Sequence, residues 1–189
     1  PATGLWEMAI RNCVKKKVLH CVNGAFSKKW VKVSECVGVE YDVIEYEWGK
    51  PVKAEDIQSK LNEGHYDAVA LVHNETSTGV MSDLEKIGDM MKNFPDTCLL
   101  VDAVSSMAGV KIEVDSCGID FIMASTQKAW GLPAGFSIAS VSDKFIEKSS
   151  EIINKGYILD IFTYEKYYSK NQTPYTPSIP HLFGLQKVL

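Results

Sequence analysis

Ser125-Thr126-Gln127-Lys128-Ala129-Trp130-Gly131-Leu132-Pro133-Ala134-Gly135 separates two mostly apolar runs, 119–124 and 136–141. Runs of that length, bounded by Gly and Pro, read as strands covered on both faces. Lys128 therefore falls in a loop at the end of a buried strand. Lysine is seldom placed near a core without a task, and an amine shielded from water there becomes a nucleophile. Upstream, Leu99-Leu100-Val101 carries Asp102 to the end of another such run.

The pattern around these two stretches alternates. Strands are expected at 18–22, 41–46, 68–73, 97–101, 119–124 and 136–141, and helices at 5–14, 26–37, 54–61, 82–94 and 142–153. Ser82, with Glu85 three residues on, fits a capping box for the fourth helix. Continuous Val/Ile/Leu runs alternating with amphipathic helices specify an α/β fold, a three-layer α/β/α arrangement around a mainly parallel sheet. Past Gly156 the pattern breaks into an aromatic, polar stretch punctuated by Pro174, Pro177 and Pro180. In sheets of this kind ligands bind beyond the carboxyl ends of the strands, where Thr76, Asp102 and Lys128 all fall.

The chain has 189 residues, 46% of them apolar, enough for one sizeable core. Its net charge of −4 supplies no electrostatic reason to bind nucleic acid or a membrane surface. No apolar run approaches the length of a membrane span, and no signal-peptide pattern opens the chain. The cysteines (Cys13, Cys21, Cys36, Cys98 and Cys117) lack C-x-x-C spacing, which points to reduced thiols in a cytoplasmic setting and not to a disulfide frame or zinc site. Arg11 is the sole arginine, although arginine is the usual clamp for a substrate carboxylate. A helical pattern begins at once, and an apolar periodic segment is still running at Leu189, so both ends read as cut from a longer protein.

Each candidate residue also has a plainer reading. Lys128 alone fits a surface lysine, Asp102 a helix N-cap, and Phe26 a core ring. Ala2-Thr3-Gly4 ahead of a helix offers free N–H groups suited to a phosphate, or is a simple helix start. His73-Asn74-Glu75-Thr76-Ser77-Thr78-Gly79 is either a turn with positive φ at Gly79, or a set of hydroxyls, Thr76 foremost, for a cofactor oxygen. No second histidine follows at metal-binding spacing, so no metal is expected. Ser125 to Lys128 also fits S-x-x-K, but the Ser-Asp-Asn and Lys-Thr-Gly companions of acyl-enzyme chemistry are absent. No G-x-G-x-x-G follows the first strand, which argues against a nicotinamide cofactor. An acid and a lysine, both at strand ends, are the two parts that a pyridoxal 5'-phosphate site needs.

As an ordered set, Ala-Thr-Gly-Leu-Trp-Glu (2–7), Val-Asn-Gly-Ala-Phe (22–26), His-Asn-Glu-Thr-Ser-Thr-Gly-Val (73–80), Leu-Leu-Val-Asp-Ala-Val-Ser-Ser (99–106), Gly-Ile-Asp (118–120), Ser-Thr-Gln-Lys (125–128) and Tyr-Thr-Pro-Ser-Ile-Pro (175–180) resembles the class V pyridoxal-phosphate aminotransferases of fold type I. The likeness is greatest to the alanine–glyoxylate and serine–pyruvate branch. That resemblance implies the large cofactor-binding domain, over 1–189, of an enzyme moving an amino group from a small amino acid to a 2-oxo acid. By the same resemblance, Lys128 is the Schiff-base lysine and Asp102 pairs with the pyridine nitrogen. Val104 packs under the ring, Phe26 stacks above it, and Thr76 bonds the ring hydroxyl. Ala2, Thr3 and Gln127 hold the phosphate. Tyr175 and Ser178 reach the partner's site in a homodimer. A lyase or desulfurase of the superfamily more often carries His at the stacking position and before the lysine. Phe26 and Gln127 stand there instead, which favours transamination and leaves the lyase as the alternative. The family's carboxylate-binding arginine belongs to a C-terminal small domain. Arg11, inside the first helix, does not replace it, so a catalytically incomplete fragment is the other alternative.

Overall fold

The computed structural model describes residues 2–189. Helix α1 (Ala2–Cys13) leads into strand β1 (Lys17–Val22), followed by α2 (Ala25–Val37), β2 (Glu40–Glu45), α3 (Ala54–Glu63) and β3 (Ala68–Val72). A small hairpin of β4 (Asn74–Glu75) and β5 (Val80–Met81) precedes α4 (Leu84–Met91), β6 (Cys98–Asp102), β7 (Phe121–Ser125), β8 (Ser137–Val141) and α5 (Asp143–Ser150). Two further helices, α6 (Ile161–Tyr168) and α7 (Ile179–Val188), come last.

The main sheet has six strands in the order β2-β1-β3-β6-β7-β8. Every neighbouring pair is parallel except β7 with β8, which is antiparallel. The expected α/β architecture is present, and strand alternation sorts its core into two layers. Leu19, Val69, Leu71, Leu99 and Val101 pack with Ile57 of α3 and with Leu84 and Ile87 of α4. Val18, Ala68, Ala70, Leu100, Phe121 and Met123 face the other way, against Trp6 and Ile10 of α1, Trp30 of α2 and Phe145 of α5. Trp6, Ala9, Ile10 and Cys13 are buried and recur three and four residues apart, the stripe a helix needs to lie along a sheet.

Three expectations change. Ser82 does not cap α4: Asp83 does, accepting from the Lys86 amide at 3.1 Å, while the Ser82 hydroxyl accepts from the Val52 amide at 3.1 Å. Strand β8 is not a covered strand, because it lies at the sheet edge, where its residues are half-buried or exposed. The hairpin and α6 were not expected from the pattern, and the apolar periodic segment running to Leu189 belongs to α7. Neither α6 nor α7 buries a residue, so no apolar stripe toward a core records α6 or the bounds of α7. Among the described residues, no helix is long and apolar enough to cross a membrane.

Candidate active site

Asp102 ends β6 with the same parity as Cys98 and Leu100, so it faces α1 and α2. The Trp6 indole Nε1 donates to Asp102 Oδ2 at 2.7 Å, and the Val104 amide donates to Oδ1 at 2.8 Å. No cation pairs with this carboxylate among the described residues. Burial pushes the Asp102 carboxyl up to about 6, despite the two donors, and the charge of Glu75 adds to the rise.

Thr126 pins the loop that carries Lys128. Its buried hydroxyl donates to the carbonyls of Pro133 (2.7 Å) and Phe136 (3.1 Å), and its amide donates to Phe136 O at 3.1 Å. The Leu132 amide returns to Thr126 O at 3.0 Å, so the chain closes into a compact turn with Gly131 at φ 67°. The Ser125 hydroxyl donates to Gln127 Oε1. Lys128 itself is exposed, not shielded as a strand-end lysine was expected to be, and makes no ion pair among the described residues. The turn ends the strand before the lysine and lifts its side chain beyond the sheet.

Glu75 builds the third wall. Fully buried, it accepts from the amides of Phe26 (3.1 Å) and Ser27 (3.0 Å), from the Ser27 hydroxyl (3.0 Å), and from the Ser77 hydroxyl (2.8 Å). It thereby neutralises the first turn of α2, where the helix leaves its N–H groups free. Burial works to raise the Glu75 carboxyl, but the bonds from Ser27 and Ser77 outweigh it and hold the group below its ordinary value. Gly24 makes the approach feasible, since a Cβ there would lie 2.3 Å from Glu75 Cγ. Glu75 thus ties Phe26, at the start of α2, to Thr76, at the tip of the hairpin.

These walls enclose one cleft of about 180 Å³, lined by Ala2, Thr3, Phe26, Thr76, Asp102, Val104, Gln127 and Lys128, together with Trp6, Val72, Asn74 and Ser105. A larger cavity of about 340 Å³, beside His73, Ser82, Glu85 and Lys111, contains none of the expected residues. Tyr175 and Ser178 do not line the cleft. The Tyr175 hydroxyl donates to Tyr157 O at 2.8 Å, and the Ser178 hydroxyl bonds His181 Nδ1 at 2.7 Å. Arg11 pairs with Glu7 at 2.6 Å on α1. Trp6, Glu75 and Thr126 were missed by sequence reasoning. For Trp6 and Glu75 the available signal was a polar-capable group inside a segment already singled out for its neighbours.

A mainly parallel sheet flanked by helices is a fold this chain shares with solved aminotransferases. The crystal structure of an alanine–glyoxylate aminotransferase from Nostoc sp. superimposes with a TM-score of 0.91 at 31% identity, covering 99% of this chain and 51% of that one. The profile of the class-V aminotransferases matches residues 9–189, and the chain belongs to that family. It is 36% identical over 198 residues to an uncharacterised aminotransferase of Methanocaldococcus jannaschii, covering 99% of this chain and 50% of the relative. To the serine–glyoxylate aminotransferase of Arabidopsis thaliana it is 33% identical over 194 residues, covering 99% and 48%. The chain spans about half the length of the curated relatives it matches.

Proposed function

We propose that the protein is an aminotransferase that uses pyridoxal 5'-phosphate to move an amino group from an alanine- or serine-type amino acid to a glyoxylate- or pyruvate-type 2-oxo acid. One observation carries this reading: among the described residues Asp102 is a buried carboxylate paired with no cation, and it shares a cleft with Lys128, an amine paired with no anion. An ionised carboxyl in so dry a wall is costly unless a positive group meets it. A protonated ring nitrogen is such a group. The first turn of α1, with Ala2 and Thr3 in the cleft, presents amides suited to a phosphate. The residues present therefore fit the cofactor.

When bound, the cofactor supplies an electron sink for a carbanion at the substrate α-carbon. Asp102 would face the ring nitrogen, Phe26 and Val104 would bracket the ring, and Thr76 would meet its hydroxyl oxygen. Ala2, Thr3 and Gln127 would take the phosphate. Lys128 Nζ would hold the cofactor covalently and, once free, move the proton of the substrate α-carbon as base and acid. The names of the serine– and alanine–glyoxylate aminotransferases among its relatives support the substrate class. We extend the reading to residues 1–189 as the large domain of a homodimer, with Tyr175 and Ser178 turned toward the partner's cleft. Their place outside the chain's own cleft supports that assignment.

The test is Lys128→Ala in the full chain. The lysine-linked visible absorbance should vanish, and transamination should fall by at least about a thousandfold. A surviving band would overturn the assignment of Lys128. A panel of alanine and serine against glyoxylate and pyruvate reads the substrate class, and release of a fragment in place of an oxo acid would overturn transamination.

A further inference from the structure

We propose that Trp6 is a positioning residue for Asp102, its indole N–H fixing the carboxylate plane toward the cleft while leaving the negative charge whole. The geometry is over-determined. Trp6 is 5% exposed, and its ring stacks on Trp30 with centroids 6.0 Å apart and planes inclined by 17°. The Trp30 Nε1 in turn donates to the Trp6 carbonyl at 3.3 Å, so ring and backbone of Trp6 are both held from α2. From that position one N–H reaches Oδ2 at 2.7 Å while the Val104 amide holds Oδ1 at 2.8 Å. Each oxygen thus carries one donor, which prevents the carboxylate from turning and leaves an acceptor site on each.

The chemistry of the donor matters as much as its place. An indole donates and never ionises or accepts. A lysine, arginine or protonated histidine in the same position would pair with Asp102 and lower its demand for a cation in the cleft. A neutral donor strengthens the ionised carboxylate without cancelling it. Among charged and titratable groups around this carboxyl, Glu75 opposes its ionisation and Lys128 lines the same cleft, whereas His73 lines the other cavity, with its Nδ1 bonded to the Ser106 hydroxyl at 2.9 Å. Among the described residues no cationic side chain pairs with Asp102 in place of the indole.

Two measurements on the full chain decide the matter, and only the second rests on the cofactor reading above. In the cofactor-free protein, tryptophan emission should show a pH step near 6, where burial places the Asp102 carboxyl. The step should disappear in Trp6→Phe and in Asp102→Asn, and persist in Trp30→Phe, which disturbs the stack but keeps the N–H. A step that survives in Trp6→Phe, or is lost in Trp30→Phe alone, overturns the proposal. In the second measurement, titration with pyridoxal 5'-phosphate, Trp6→Phe should weaken binding by about tenfold, the loss of one hydrogen bond to a charged group. Its optimum should also move to higher pH, because Asp102 then ionises less readily. Binding equal to wild type overturns the positioning role. Unchanged binding by Asp102→Asn would instead overturn the cofactor reading and leave the emission result to judge Trp6. If Trp6→Phe does not fold, benzothienylalanine at position 6 keeps the ring shape, removes the donor and answers the same two questions.

Discussion

Asp102, the last residue of β6, and Glu75, in the hairpin that follows β3, are both buried carboxylates, and their surroundings drive them in opposite directions. Glu75 is saturated: the first turn of α2 and two serine hydroxyls hold it below its ordinary value. Asp102 has two neutral donors, and burial lifts it to about 6. The difference separates a carboxylate whose partners are all built into the fold from one that, in the function proposed above, takes its remaining partner from the cofactor. Burial alone does not tell them apart, since both are nearly inaccessible. The inventory of donors does.

The comparison breaks most severely at Glu75. Glu75→Ala leaves the Phe26 and Ser27 amides without their acceptor in a buried site and should destabilise the protein by about 3 kcal/mol or more, measured by urea unfolding. Asp102→Asn should act through pH instead. In the cofactor-free protein the raised carboxyl binds its proton more tightly folded than unfolded, so its contribution to stability is lost as pH rises from about 4 to about 6. The urea midpoint of wild type relative to Asp102→Asn should therefore fall across that window, by an amount on the order of 2–3 kcal/mol in stability. Glu75 has the reverse sign, because its stabilisation is present above the unfolded carboxyl value and lost as pH falls through its depressed folded value. A flat difference curve for Asp102→Asn would show that burial does not raise this carboxyl and would remove the contrast with Glu75. Gly24→Ala tests the latch by crowding. The new Cβ displaces Glu75 and should cost about 1–2 kcal/mol in thermal unfolding, with the loss confined to α2 and the hairpin by hydrogen exchange.

Much of the fold was legible because a parallel sheet covered on both faces writes its strands as unbroken apolar runs, such as Ala68–Val72 and Cys98–Asp102. Strand β8 carried nearly the same apolar signal and was misjudged, since an apolar run does not reveal which strand lies at an edge. The hairpin was too short to leave a period of its own, α6 has no buried face to imprint one, and the apolar period at the chain's end did not give the bounds of α7. At the site, the structure brings Asp102, Lys128, Phe26 and Thr76, each singled out beside a strand end or turn, into one cleft. Trp6 and Glu75 were not singled out, because their partners lie 96 and 48 residues away along the chain. No local spacing encodes such a bond.

The reversal of direction between β7 and β8 bears on how far the amine at 128 travels. With Ser125 paired to Ser137, both feet of the intervening loop stand on the same rim of the sheet. A parallel successor would have required a crossover to the opposite rim before the next strand began. The antiparallel return instead gives the lysine a short tether anchored at both ends, so its swing is set by its own four methylenes and hardly by the backbone beneath.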